Sequence, residues 1–307
     1  MRIGVSLAEP RGPEALSGLR DQLSRAADDG FSSAWMSQIF GLDTLTALAV
    51  AGSEVQGIEL GTAVVPTYPR HPAVLAQQAL TAATALGGRL TLGIGLSHKI
   101  VIEDMYGYSF DRPVRHMREY LSVLMPLIAD EPASFTGATL SGHMTLSTPR
   151  SRRMPVVLAA LGAQMLRLAG ERADGTVTWM TGPATVRDHV VPTITASARD
   201  AGRPSPRVVC ILPVCVTSDP DAARARAGEV FATYGQLPSY RAMLDLEGAA
   251  GPADVAIVGD EDTVAERITA LATAGVTDFI AGEYAKRDDH RLIRRTRELL
   301  KSLAARA

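Results

Sequence analysis

What the chain lacks narrows its chemistry first. Cysteine is almost missing, with Cys210 and Cys215 the only two in 307 residues. Both fall in one expected strand at an odd spacing, which sends their side chains to opposite faces and leaves no bridge between them. Neither sign of charge dominates, at 31 Lys and Arg against 33 Asp and Glu, so nothing in the balance invites a nucleic acid or a membrane surface. No apolar run approaches the roughly 18 residues that span a bilayer. Met1–Ser6 enters a strand at once, so no signal peptide is expected and the chain reads as cytoplasmic. Close carboxylate pairs, a Ser-His-Asp set and metal-ligand spacings are also missing. His116 and Glu119, three positions apart, read as one solvated helical face, so no metal site is expected.

What is present is a repeating plan. Hydrophobic residues make up 46% of the chain, enough for a large core, and its length suits a single α/β barrel, typically about 250 residues. The stretch from Glu59 to His98 shows the unit: a short β-branched run to Val65, the loop Pro66–Pro72, a helix built from Ala, Leu and Gln, Gly87-Gly88 as its stop, then Arg89–Gly95 as the next strand. Buried strands joined through a helix must lie parallel. Further strands are expected over residues 2–6, 31–37, 155–161, 175–180, 207–216 and 277–281, making eight, most of them followed by a helix. The fold class is therefore α/β, a (β/α)8 TIM barrel forming one domain over 1–307, with an insertion after the fourth strand at about 100–150. That insertion holds an aromatic loop (Tyr106, Tyr108, Phe110), a helix and a hairpin-like stretch at 133–148, both expected to shape a pocket. Residues 237–254 read as short helices and loop. A doubly wound sheet would show a Gly-rich fingerprint after the first strand, and none is there.

In such a barrel the site lies at the C-terminal ends of the strands. The loops there, Ser6–Glu9, Ser37-Gln38, Ala63–Thr67, Leu96-Ser97-His98, Gly162-Ala163-Gln164 and Thr178–Gly182, are rich in small neutral residues. They suit a large, flat, uncharged ring held mainly by backbone. Gly162-Ala163-Gln164 opens a helix directly after a strand, so it is either a phosphate site or a turn that needs Gly for steric reasons; spacing leaves both open. Arg112, Arg115 and Arg118 share a helical face and read as a solvated ion-pair face with Glu119, with attraction of an anionic cofactor tail as the alternative. Arg70 and His71 are expected to fix their loop, and Trp35 to lie in the core.

With these residues in view the chain resembles the luciferase-like monooxygenase superfamily, and within it the oxidoreductases that use the deazaflavin coenzyme F420. The likeness rests on Gly61–Pro72, Arg89–Gly95, and Gly162–Glu171 with Ala173-Asp174-Gly175. It implies a TIM barrel with insertions and a non-prolyl cis peptide at Ala63-Val64. It also implies cofactor contacts at Gln38, Ala63, Val64, Val65, Leu96, Ser97, Thr178 and Trp179, and a phosphate on Gly162, Ala163 and Gln164. Sugar-phosphate dehydrogenases of this branch carry a His after the second strand and a Glu after the fourth, which this chain lacks; His98 is then a candidate proton donor beside a Tyr or water, with a structural hydrogen-bonding role as its other reading. The resemblance thus implies F420-dependent hydride transfer to a small organic substrate with a C=C, C=N or C=O bond, in a homodimer. The alternatives are an FMNH2-dependent monooxygenase of the luciferase or alkanesulfonate type, with FMN as the cofactor, and a barrel that binds a ligand without turnover.

Overall fold

A computed structural model describes residues 1–149, 152–285 and 289–306. The first half runs β1 (Arg2–Ser6), α1 (Ala15–Asp28), β2 (Ser33–Met36), α2 (Thr44–Gly52), β3 (Glu59–Thr62), β4 (Val65–Pro66), α3 (Pro72–Ala85), β5 (Leu90–Gly95) and α4 (Pro113–Ile128). A hairpin, β6 (Ala133–Thr136) and β7 (Ser141–Met144), leads to β8 (Val156–Ala159), α5 (Ala163–Arg172), β9 (Gly175–Trp179), α6 (Pro183–Thr185) and α7 (Val191–Asp200). The chain ends through β10 (Arg207–Val216), α8 (Pro220–Val230), α9 (Pro238–Glu247), α10 (Pro252–Val255), β11 (Ile257–Gly259), α11 (Glu261–Thr273), β12 (Asp278–Glu283) and α12 (His290–Ala304). Asp288, expected to open the last helix, lies outside the described residues.

The strands β1, β2, β3, β5, β8, β9, β10 and β12 pair in parallel, and β12 returns to β1, which closes an eight-stranded barrel. This is the expected TIM barrel, with two refinements. The third strand is interrupted: β3 pairs with β5 up to Gly61↔Thr91, and pairing resumes at Val65↔Ile94 in β4. Between them the Thr62 hydroxyl accepts from Gly93 N–H (2.8 Å) and donates to the Gly93 carbonyl (2.7 Å), satisfying the groups that the bulge frees. The other refinement is β11, which pairs only with the last three residues of β10, beyond the point where β9 leaves that edge.

Two packing layers follow from strand alternation. Inside the barrel Trp35, Val157, Val177, Val209, Ile211 and Ile280 form a small core, with Ala63, Val64, Ala159 and Trp179 packed against it. Gly61 makes this possible, because a Cβ there would lie 2.3 Å from the Trp35 ring. The larger core lies between strands and helices. Cys210 and Cys215 are both buried and free, in two separate clusters.

The N-terminal end of the barrel is closed by charge. Arg207 meets Glu59 at 3.0 Å and Asp278 at 2.8 Å, and Arg2 meets the same two carboxylates at 2.9 Å each. All four are the first residues of their strands. Burial works against the Arg207 charge, but the bonds to Asp278 and Glu59 outweigh it and raise its pKa. Among the described residues no helix is long and apolar enough to cross a membrane.

Candidate active site

The opposite end of the barrel is built differently. The Ala63-Val64 peptide is cis and forms the bulge between β3 and β4, where the resemblance placed it. Gly95 lets this bulge lie against β5, because a Cβ there would come within 2.5 Å of Val64. Ala63 and Val64 stay partly exposed at the top of the inner core, whereas the Val65 side chain is fully buried in the outer core. Val65 can therefore face the mouth only with its backbone.

At the end of β5, Ser97 takes a left-handed φ of 63° and turns the chain across the mouth. His98 follows, half-buried, its ring 5.8 Å from that of Tyr240. Burial lowers its pKa below the ordinary imidazole value, so the ring is neutral at neutral pH. Leu96 packs partly into the outer core.

Gly162 is the N-cap of α5, with extended backbone, no side-chain cap and open space where a Cβ would stand. The first-turn N–H groups of Ala163 and Gln164 are therefore presented at the rim without a capping side chain. From behind, His189 donates through Nε2 to the Leu161 carbonyl at 2.8 Å and props the turn. Gln164 is exposed and reaches the flank of α4.

Gln38 lies at the end of β2, but its amide is engaged. In the orientation the neighbouring donors require, its oxygen accepts from both Arg70 Nη atoms at 2.7 and 3.0 Å. Arg70 also pairs with Asp43, which caps α2 and accepts from Gln78. His71 caps α3 through Ala73 N–H and meets the Ser141 carbonyl. Both residues hold the loop, as expected.

Val177 and Trp179 point into the barrel, so Thr178 between them faces the helices, where it is 1% exposed beside Cys210. Its hydroxyl does not reach the mouth. Trp179 does: its ring passes over Gly282, where a Cβ would lie 3.7 Å away.

Two aromatic walls flank this end, one of them built in part from Phe110 of the expected aromatic loop and the other not foreseen. Phe231 and Tyr234 set their rings edge-on to Trp179 at 5.6 and 5.7 Å, and Tyr240 closes on Tyr234 at 5.2 Å. Glu247 at the end of α9 anchors this segment by accepting from Ala184 N–H (3.1 Å) and Thr185 N–H (2.7 Å). The concentration of aromatic residues at 231–240 in an aromatic-poor chain was the available signal. Opposite, Tyr68 stacks on His116 at 3.9 Å and 3°, and on Phe110 at 5.4 Å. Its hydroxyl is buried without a hydrogen-bond partner among the described residues. Burial, aided by Asp111 and Glu103, pushes it up to about 12. Burial also lowers His116 to about 4 against the pull of Glu119, and His116 Nε2 lies 3.0 Å from the Thr67 hydroxyl.

The 133–144 hairpin, expected to shape the pocket, instead docks on the outer flank of α3 and α4. Glu119 accepts from the N–H groups of Ala138, Thr139 and Leu140, and the hairpin meets His71.

A family model described as luciferase-like monooxygenase matches residues 1–278. The 5,10-methylenetetrahydromethanopterin reductase of Methanolobus tindarius is 26% identical over 288 residues, covering 84% of this chain and 87% of that protein. The structure of the coenzyme F420 dependent tetrahydromethanopterin reductase from Methanopyrus kandleri superimposes with a TM-score of 0.80 at 23% identity, over 98% of this chain and 97% of that one. The oxygenating constituent of 3,6-diketocamphane monooxygenase from Pseudomonas putida, in complex with FMN, superimposes at 0.79 with 19% identity, over 100% and 98%. These two structural likenesses concern the fold alone. By the match over most of its length, the chain belongs to the luciferase-like monooxygenase family.

Proposed function

We propose that this protein is an F420-dependent oxidoreductase that passes hydride between the deazaflavin and a small organic substrate, in the direction that reduces a C=C, C=N or C=O bond. The observation that carries the reading is the uncapped first turn of α5 at Gly162, at the same end of the barrel as the Ala63-Val64 bulge. The residues present fit a flat anionic cofactor. Open space at Gly162 leaves the turn accessible, its uncapped N–H groups suit a phosphate, and the Ala63-Val64 bulge offers a backing for a ring. The name of the Methanolobus relative, a reductase, agrees with the direction.

When bound, the deazaflavin supplies or accepts the hydride. The chain's part is placement. Ala163 and Gln164 N–H groups hold the phosphate, Ala63 and Val64 support one ring face, and Trp179, Tyr234 and Tyr240 exclude water from the other side. His98 stands at the rim as the proton donor, aligned by its backbone at the end of β5. Its lowered pKa makes its protonated form a stronger acid than an ordinary imidazolium, present only in a minority of molecules at neutral pH.

The FMN-dependent likeness keeps a second reading in play, a monooxygenase on the same barrel. Anaerobic oxidation of reduced F420 by activated alkenes, imines and ketones supports the first reading. Oxygen uptake coupled to supplied FMNH2, with no F420H2 oxidation by any of those acceptors, rejects it in favour of the second.

We also propose a homodimer. The adjacent helices α2 and α3 carry no charged residue and expose Val50 and Val74, a face that a second copy could meet without burying charge. Light scattering that finds a monomer at micromolar concentration rejects it.

A further inference from the structure

We propose that the substrate of this barrel is a planar aromatic molecule without an anionic group, stacked on exposed rings of the loops after β2 and β5 at the mouth. The inference rests on the oxidoreductase reading above and deepens it, by naming the class of compound to which the reducible bond belongs.

Aromatic residues are few, with 6 Phe, 2 Trp and 7 Tyr in 307 residues, yet they gather at one end of the barrel. Phe40 follows β2, Tyr68 follows β4, and Tyr106, Tyr108 and Phe110 follow β5. Across the mouth stand Trp179 at the tip of β9 and the rings of Phe231, Tyr234 and Tyr240. Six of these rings partner one another: Phe110 lies on Tyr68, and the other three surround Trp179 or close on its neighbour. Phe40, Tyr106 and Tyr108 do not. They are 63%, 42% and 46% exposed and make no ring contact among the described residues. Ile39, Ile100 and Met105 on the same two loops are exposed as well. Packing of the barrel does not call for apolar surface there, so its use is to be covered by something that binds.

The loops form one surface. Gln38 and Asp43, on either side of Phe40, both bind Arg70, and Tyr68, two residues before Arg70, stacks on Phe110. Phe110 closes the loop that carries Tyr106 and Tyr108. On the far side His98 meets Tyr240 at 5.8 Å, so this surface runs into the inner aromatic wall. A flat ligand can lie against rings offset or meet them edge-on, with a gain beyond that of burying area alone.

Charge decides against an anion. The basic residues of 37–43, 66–71 and 96–110 are Arg70, His71, His98 and Lys99. Arg70 is held by Asp43, His71 caps α3, and Lys99 pairs with Glu103 at 3.6 Å. With His98 neutral, a carboxylate or phosphate on the substrate would lose its water and meet no unpaired cation on these loops.

The test is equilibrium dialysis of the full-length protein against three ketones, without cofactor and again with saturating oxidised F420. The probes are 2-acetylnaphthalene, its saturated counterpart 2-acetyldecalin, and 6-acetyl-2-naphthoate. The flat neutral ketone should bind about tenfold more tightly than either of the others. Replacing Phe40, Tyr106 and Tyr108 together by Leu keeps the surface apolar but removes the rings. It should erase the advantage over the decalin and leave the advantage over the naphthoate. Phe40→Leu alone should reduce the first advantage measurably, and serves should the triple variant fail to fold. Equal affinity for flat and saturated ketones, binding of the naphthoate as tight as that of the neutral ketone, an advantage that survives the triple variant, or no binding of any probe overturns the inference. So does displacement of the probe by F420, which would place it in the cofactor slot. Failure of F420 to bind, with the selectivity among ketones intact, rejects the cofactor reading and leaves the aromatic surface standing.

Discussion

The two ends of this barrel solve opposite problems. At the N-terminal end, Arg2, Glu59, Arg207 and Asp278 meet across the barrel and satisfy one another's charges. At the C-terminal end small residues of the strand-end loops lie between aromatic walls, the α5 amides are uncapped, and the Tyr68 hydroxyl has no partner among the described residues. One end spends its polar groups internally; the other leaves them open. The difference teaches where to look for function in a chain without a catalytic constellation: at the end whose polar groups still lack partners.

The largest expected effect breaks the closed end. Arg207→Ala leaves Glu59 and Asp278 facing each other with only Arg2 between them. It should cost about 3 kcal/mol of folding free energy, read by urea denaturation, with deazaflavin affinity unchanged in the folded protein. A shift below about 0.5 kcal/mol would show that the network is not what closes that end.

At the open end, His98→Asn should lower turnover by about 10²-fold with the melting temperature unchanged. Because the His98 pKa is lowered by burial, turnover limited by its proton should fall as pH rises through a value below 6.5. A flat pH profile in both proteins assigns the proton to another donor.

Acid should loosen the mouth before it loosens the rest. His116 stays neutral in the fold down to about pH 4, whereas the unfolded chain takes up that proton near 6.5. Stability is therefore lost as pH falls between those values. Glu119 is depressed to about 2: desolvation opposes its charge, and the hydrogen bonds from Thr139, Ala138 and Leu140 outweigh it. Its contribution is present above the usual carboxylate range and is lost as pH falls towards 2. Denaturation midpoints measured across this range should drop in His116-dependent fashion first, and His116→Gln should flatten that upper limb.

The smallest effect has opposite signs in two readouts. Gly162→Asp adds a cap to α5 in open space and should raise stability by about 0.5 kcal/mol. The same carboxylate would occupy the amides offered to the phosphate and weaken F420 binding. A gain in both readouts would remove the phosphate from this turn.

Much of this architecture was legible because parallel barrel strands are buried on both faces and read as short apolar runs between glycines and prolines. Gly162 was legible too, since strand, glycine and helix follow one another directly. Strand β11 escaped because three residues paired to the tip of β10 leave no periodicity. The aromatic wall at 231–240 escaped for another reason: its partner is the mouth, and neither 3.6-residue nor alternating spacing marks a segment that packs on something distant. Thr178 and Val65 show the converse. Motif likeness names a position at a strand end, whereas alternation decides which side chain turns inward, and it turns these two away.

The proposed function has the open end hold a deazaflavin by its phosphate. The most direct measurement is a side-by-side titration of the purified protein with oxidised F420 and FMN. The account predicts that F420 binds in the micromolar range and at least tenfold more tightly than FMN, a margin of about 1.4 kcal/mol. Micromolar binding of FMN with only millimolar binding of F420 would contradict it.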